Sequence, residues 1–402
     1  MEPSVRFNAR VCQETDSPIG LAYGLLGRRA GDRRLLDLAQ AAPQYPAAPE
    51  VVAHVAAVAR DVHGGDYVEP AGLPKLRESF AAELADAYRG SVRAGHVVVT
   101  AGCNQAFCLA VSALAGPGDE VVLVLPYYFN HDMWLRMNGI RPRYLEPGPD
   151  LLPSPAACER LINDRVRAVL LVTPGNPSGV VLPPGLIAEF AALADRHGIA
   201  LILDETYRSF RGDTEPAHRL LCDRDLERGV VSLHSFSKDL ALPGYRVGAV
   251  VGSSELNRQI MKLLDCVAIC APRIGQEAAW AGLTRAADWR ARRAAEVAVK
   301  QARFEAVMAD RPGGFELLSC GGFFGWVRHP FTGRATQDVV RDLVLRYDTL
   351  VIPGTAFLPE DRGTFRVSFS NVEEAAFADL AVRFGAAGRA VGAGRPGAGL
   401  SR

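Results

Sequence analysis

From residue 96 onward the apolar positions fall into short unbroken runs separated by longer stretches with three- and four-residue spacing. Residues 96–100, 120–125, 167–173, 199–203, 230–233 and 247–251 are almost continuously apolar, which predicts strands covered on both faces. Between them, residues 104–114, 131–137 and 186–196 carry helical spacing. Such alternation predicts an α/β domain around a mainly parallel sheet. Upstream, Val51, Val52, Val55 and Val58 mark a helix over 49–61, and Pro74 opens a second helix over 73–88. Residues 35–38 form a candidate short strand. After Ser254 the pattern changes to long helical stretches, 256–264 and 276–308. An α+β segment follows to about residue 384, with strands near 325–328, 350–352 and 364–369.

This pattern divides the chain into an N-terminal segment, 1–45, contributing to a small domain, and a large domain, 46–285. A C-terminal small domain, 286–390, follows, then a Gly/Ala/Arg-rich tail, 391–402, expected to be disordered. With 49% hydrophobic and 22% charged residues the chain can bury a large core. A formal net charge of zero argues against nucleic acid or an anionic membrane as the main partner. No apolar run approaches the roughly 20 residues of a membrane span. The eight cysteines are dispersed and the first ten residues lack an apolar signal core, so reduced core cysteines and a cytoplasmic location are expected. Cys266 and Cys270 lack a second pair of soft ligands, so no metal is expected.

Lysine usage changes the picture. The chain has 45 Lys and Arg residues, yet only Lys75, Lys238, Lys262 and Lys300 are lysines. Three of them sit in polar, helix-patterned segments where an ammonium is solvated. Lys238 instead follows an apolar strand, within His234-Ser235-Phe236-Ser237-Lys238, and precedes Pro243-Gly244-Tyr245-Arg246-Val247-Gly248. A desolvated amine near other cations can lose its proton and act as a Schiff-base nucleophile. A plain strand-end lysine is the competing reading.

Other chemistry-bearing residues fall at predicted strand ends, where open α/β sheets gather ligands. Gly102-Cys103-Asn104 turns a strand into a helix and offers free amides to an anion. Tyr127, Tyr128 and Phe129 supply candidate stacking rings. Thr173-Pro174-Gly175-Asn176-Pro177-Ser178-Gly179 is a rigid turn that can aim the Asn176 amide. Asp204 ends an apolar strand, so its carboxylate needs a cation or several donors. Glu205, by strand alternation, faces away and reads as structural. Arg366 lies in a strand among aromatic and apolar neighbours, and its fork matches a carboxylate.

The lysine motif and the order of these parts resemble the class I/II aminotransferases, pyridoxal-phosphate enzymes of fold type I, of which aspartate aminotransferase is the familiar member. The resemblance runs from about residue 35 to 385. It implies a large domain with a mainly parallel seven-stranded sheet plus a smaller α+β domain. It implies pyridoxal 5'-phosphate held as a Schiff base on Lys238, with Gly102, Cys103, Asn104, Ser235, Ser237 and Arg246 around the phosphate. Tyr128 would stack on the pyridine ring, Asp204 would pair with its nitrogen, backed by His131, and Asn176 and Tyr207 would bond the phenolate. Arg366, with Asn176 and Ala41, would meet the substrate, and Tyr67 would reach the phosphate in a neighbouring subunit, making a homodimer with composite sites. Ala41 departs from the family, which usually has glycine there, and its methyl puts ordinary substrate fit in question. The implied reaction moves an amino group from an amino acid to a 2-oxo acid. A lyase, cyclase or oxidase on the same scaffold is the alternative. A non-enzymatic regulator would need a DNA-binding module, for which about 35 leading residues are too few.

Overall fold

A computed structural model describes residues 5–29, 33–212 and 215–392. The expected disordered tail therefore lies, from residue 393, outside the described residues. The chain forms two compact units: one from residues 5–15, 45–176 and 180–296, the other from 16–44, 177–179 and Val297 onward. Residues 5–15 thus group with the larger unit, whereas the sequence pattern assigned all of 1–45 to the smaller. The second boundary falls inside a helix, Ala287–Ala309, rather than at 285.

Numbered along the chain, β1 (Leu36–Asp37) belongs to the second unit. The next seven strands build the sheet of the first: β2 (Val97–Thr100), β3 (Glu120–Val124), β4 (Arg141–Leu145), β5 (Val166–Val172), β6 (Ala200–Asp204), β7 (Val230–Ser235) and β8 (Gly248–Val251). Their order is β2-β8-β7-β6-β5-β3-β4. Only β8 runs against its neighbours. The other six present their carboxyl ends along one edge, where Gly102, Tyr128, Asn176, Asp204 and Ser235 lie. Helices cover both faces. One core layer joins Phe80, Leu84, Val97, Val99, Phe236 and Ala278; another joins Val169, Leu171, Phe190 and Leu201. Fully covered faces explain why these strands read as unbroken apolar runs.

Among the departures from the sequence pattern are an edge strand and a helix break. β4, Arg-Pro-Arg-Tyr-Leu, has a polar strand sequence because it is the sheet edge, where proline costs no ladder bond. The stretch 276–308 is two helices, Arg273–Arg285 and Ala287–Ala309, broken at Ala286 with φ −121° and ψ 29°. Neither glycine nor proline marks that break. The cysteines are also less uniformly internal than expected. All eight are free thiols, but Cys12 and Cys266 are exposed and only Cys103 and Cys158 are buried. Among the described residues, no helix is long and apolar enough to cross a membrane.

The second unit holds a parallel pair, β1 with β11 (Thr349–Leu350), and a four-stranded antiparallel sheet. That sheet runs β12 (Ile352–Pro353), β13 (Thr364–Ser368), β10 (Phe324–Arg328), β9 (Glu316–Gly321). Its core is aromatic: Phe315 stacks on Phe384 at 4.3 Å and Phe304 on Phe369 at 5.6 Å. Helices Thr336–Tyr347 and Ala376–Gly392 together with this sheet make up the α+β segment read after residue 315.

Candidate active site

Asp204 is the last residue of β6 and only 5% exposed. A carboxylate at that depth survives only with donors around it. His131 Nε2 lies 3.3 Å from Oδ2, the Thr206 amide donates to Oδ1 at 3.0 Å, and the Cys103 thiol approaches Oδ1 at 3.7 Å. Burial by itself raises the Asp204 carboxyl, but the hydrogen bond and charge of His131 and the Thr206 donors outweigh it and hold it below its ordinary value. Asp204 is therefore an anion. Burial, then the Asp204 charge, pushes the Cys103 thiol well up, so it stays protonated and donates. Sequence placed Cys103 at a phosphate turn through its backbone. The structure adds that its side chain belongs to the carboxylate, a contact no local pattern signals. His131 packs on Phe107 at 4.1 Å and meets Tyr128 edge-on at 5.0 Å. Its Nδ1 is buried without a partner among the described residues.

The three adjacent aromatic rings have different surroundings. Tyr127 is buried and stacks on Tyr144 at 5.4 Å, and Phe129 is buried at the start of its helix. Tyr128 alone is partly exposed beside His131, with its hydroxyl accepting from Asn130 at 2.8 Å.

A second group forms where β2 turns into helix Cys103–Leu114. Gly102 is the N-cap, at φ +89°, and no side chain caps the helix. The free amides of its first turn thus face outward from a positive helix end. Arg246, at the left-handed φ of 51°, donates to Pro243 O at 2.9 Å and reaches Ala101 O at 3.4 Å. Its guanidinium lies over Gly102: a Cβ there would meet Nη2 at 2.3 Å. Uncapped amides plus a guanidinium make an anion cradle. Asn104 is exposed in that same first turn. Gly102→Ala should therefore displace Arg246 and strain the turn, costing about 1–3 kcal/mol of stability. Thermal melting and phosphate titration check this; an unchanged melt and affinity contradict it.

β7 ends at Ser235, whose hydroxyl accepts from the Ser237 amide at 3.2 Å. That bond turns the chain so that Lys238, partly buried, carries its Nζ 5.9 Å from the centre of the Tyr207 ring. Tyr207 is 4% exposed. Lys75, by contrast, is not simply solvated as its helix pattern predicts: it pairs with the buried Glu277 at 2.7 Å and lies 4.2 Å from the Trp280 ring. Asn176 is 8% exposed, and the turn before it is tied to β6 by the Thr173 amide on Asp204 O at 3.0 Å.

Glu205 faces away from Asp204, as alternation predicts, into a buried cluster. Tyr88 donates to it at 2.5 Å, His218 lies at 3.3 Å, and Ser232, bonded to it, also meets His234 at 2.8 Å. Burial, opposed by Glu205, lowers His234 to about 4. The unfolded chain then binds a proton that the folded chain refuses, so this contribution to stability is complete above about 6.5 and is lost as pH falls toward 4. His96 and His329 shift the same way. Melting temperature should decline from pH 7 to 4.5, and His234→Asn should flatten the slope by up to about 1.4 kcal/mol per pH unit. Parallel wild-type and variant curves would contradict this.

In the second unit, Arg366 on β13 is 2% exposed, which removes the solvated-face reading. Its guanidinium lies between Phe324 at 4.8 Å and Phe357 at 5.1 Å and donates to Ala39 O. Ala41 is buried in the same segment, which Asn371 fixes by accepting from Ala42 N at 3.2 Å. Tyr67, in the first unit, stands 77% exposed on its loop.

Sequence and fold place the chain among known proteins. The sequence profile described as aminotransferase class I and II matches residues 33–384. An aromatic aminotransferase of Arabidopsis thaliana is 32% identical over 78% of this chain and 79% of its own. The arginine–pyruvate transaminase AruH of Pseudomonas aeruginosa is 30% identical over 90% and 92%. In fold, the chain is similar to an aminotransferase from Mycobacterium tuberculosis, with TM-score 0.86, 24% identity and coverage of 95% and 99%. Thermus thermophilus aspartate aminotransferase is similar too, with TM-score 0.86, 23% identity and coverage of 95% and 100%. With its fold, its sheet-edge acid and its strand-end lysine accounted for, the chain belongs to the class I and II aminotransferases and is a transferase enzyme.

Proposed function

We propose that the protein uses pyridoxal 5'-phosphate, attached to Lys238, to move an amino group from an α-amino acid to a 2-oxo acid. One observation carries this reading: a buried anionic carboxylate, Asp204, shares a sheet edge with an uncapped helix end under Arg246 and with a partly buried lysine. These parts fit the cofactor's three demands, an acceptor for a ring N–H, a cradle for a phosphate and an amine for an aldehyde. The first-turn amides of Cys103 and Asn104, at the turn that Gly102 makes while its own amide donates to Thr100 O at 2.8 Å, would hold the phosphate with Ser235, Ser237 and Arg246. Asp204 would hold the ring nitrogen, Tyr128 the ring face, and Asn176 and Tyr207 the phenolate. When bound, the cofactor supplies an electron sink for the α-carbon. Asp204 would keep that sink charged, because His131 and Thr206 hold the carboxylate ionised against burial. The Lys238 amine takes the α-proton as general base. Arg366, its charge kept out of water by Phe324 and Phe357, would hold the α-carboxylate. Relatives named for aromatic, arginine and aspartate chemistry support an α-amino acid donor without selecting a side chain. Free thiols throughout support a cytoplasmic location.

The test is a half-reaction. With a panel of amino acids and no oxo acid, each effective donor should give one equivalent of its 2-oxo acid per bound cofactor and no ammonia. Continuous release of ammonia would favour elimination or oxidation instead.

The exposed Tyr67 supports a two-fold dimer in which each copy completes its neighbour's phosphate site. Mixing Lys238→Ala chains with Tyr67→Ala chains then gives heterodimers with one doubly damaged and one intact site. Random reassortment should restore about one quarter of wild-type sites. Activity no greater than the average of the two parents, or an active monomer on sedimentation, would contradict the shared site.

A further inference from the structure

Lys238 is followed by Asp239, an acid only 7% exposed and outside every role assigned so far. Its Oδ2 accepts from Arg290 Nη2 at 3.1 Å and from the Ser209 hydroxyl at 3.4 Å. Arg290 is also forked onto Glu83, at 2.7 and 2.9 Å, and Arg208 pairs with the same carboxylate. The result is a mostly buried alternation of charges, Arg208–Glu83–Arg290–Asp239. Burial raises the Glu83 carboxyl, but the two guanidinia outweigh it and hold it at about 2. Glu83, Arg208 and Arg290 therefore keep their charges at neutral pH.

The cluster's members come from four places in the first unit. Glu83 lies on helix Pro74–Ala87 and Arg290 on helix Ala287–Ala309. Arg208 and Ser209 lie on the turn that follows Asp204 and Tyr207, and Asp239 lies on the lysine loop. It thus ties the loop bearing the amine to the loop bearing the ring acid and the tyrosine, and braces both against two helices. A buried ion cluster contributes little to stability compared with apolar packing of the same volume, but it fixes one geometry. Tyr45, Arg293 and Glu296 also face this region: Arg293 lies 5.2 Å from the Tyr45 ring, and burial, then Asp239, raises the Tyr45 phenol. Asp239 Oδ1 has no hydrogen-bond partner among the described residues, so its hold on the cluster runs through Oδ2.

We propose that Asp239, clamped by Arg290, is a positioning residue that fixes the Lys238 amine relative to Asp204 and Tyr207. This rests on the reading of Lys238 as the cofactor lysine. Misplacing a reacting group by about 1 Å can cost a hundredfold in rate.

The test uses the cofactor-loaded enzyme and the variants Asp239→Asn, Arg290→Met, their double, and Arg290→Lys. Each of the first two should lower kcat/KM about tenfold or more through kcat. The double should be no worse than the poorer single, because both break one unit. Arg290→Lys should recover part of the loss. The pH midpoint of the bound-cofactor absorbance should fall in Asp239→Asn, which removes an anion beside the lysine, and rise in Arg290→Met, which removes a cation. A role confined to stability would lower the melting temperature and leave both midpoints in place, and that result overturns the proposal. If Asp239→Asn fails to fold, the two Arg290 variants still decide. Borohydride reduction and peptide mapping of each variant separate the two failures. A label on Lys238 with unmoved midpoints overturns the anchor alone, and a label elsewhere overturns the lysine assignment as well.

Discussion

Replacing Lys238 by alanine is expected to lower kcat about ten-thousand-fold or more, with little change in melting temperature. Two functions disappear together: the nucleophile that holds the cofactor and the base that takes the α-proton. Stability should hold because the lysine is only partly buried and its loop is fixed by its neighbours, through the Ser235–Ser237 bond and the Asp239–Arg290 pair. Lys75→Ala is the informative control. It breaks a pair with the buried Glu277, so it should cost stability, about 1–3 kcal/mol, while leaving kcat near wild type. Stopped-flow kinetics and melting curves of both variants give the comparison. A Lys238→Ala enzyme with wild-type turnover would end the account.

Asp204→Ala carries the second large effect, a loss of kcat of about a thousandfold, with cofactor still attached to Lys238. The carboxylate stabilises charge that is fully developed only as the α-proton leaves, so its removal acts on turnover more than on substrate affinity. It also strips His131 Nε2 and the Thr206 amide of their acceptor, which should cost about 1–3 kcal/mol of stability. His131→Phe should be milder and different in kind. His131 is the main group holding the Asp204 carboxyl low against burial, so without it the carboxyl rises. The acid limb of the kcat profile should then move to higher pH. Unchanged limbs in His131→Phe would remove the histidine from the mechanism.

Much of this site was legible because its residues sit in short, chemically unusual contexts. Lys238 stood out against an arginine-rich background, Asp204 as an acid ending an apolar strand, and Asn176 within a turn of two prolines and two glycines. The parallel sheet was legible because burial on both faces leaves unbroken apolar runs. Edge strand β4 escaped because exposure removes that signal, and the break at Ala286 escaped because alanine fits helix and break alike. Residue chemistry alone left Tyr127, Tyr128 and Phe129 open and the family resemblance picked Tyr128, the one of the three that is partly exposed. The Cys103–Asp204 contact and the cluster of Glu83, Arg208, Asp239 and Arg290 join residues far apart in sequence, and each alone reads as an ordinary residue. Arg366 lay between these cases: its apolar neighbours hinted at burial, and the Phe324 and Phe357 rings account for it.

The most direct measurement is borohydride reduction of the cofactor-loaded enzyme, followed by peptide mapping. One reduced cofactor per chain is expected, on the peptide containing Ser237-Lys238-Asp239, with Lys75, Lys262 and Lys300 unmodified. A stable label on any of those three, or none on Lys238, would contradict it.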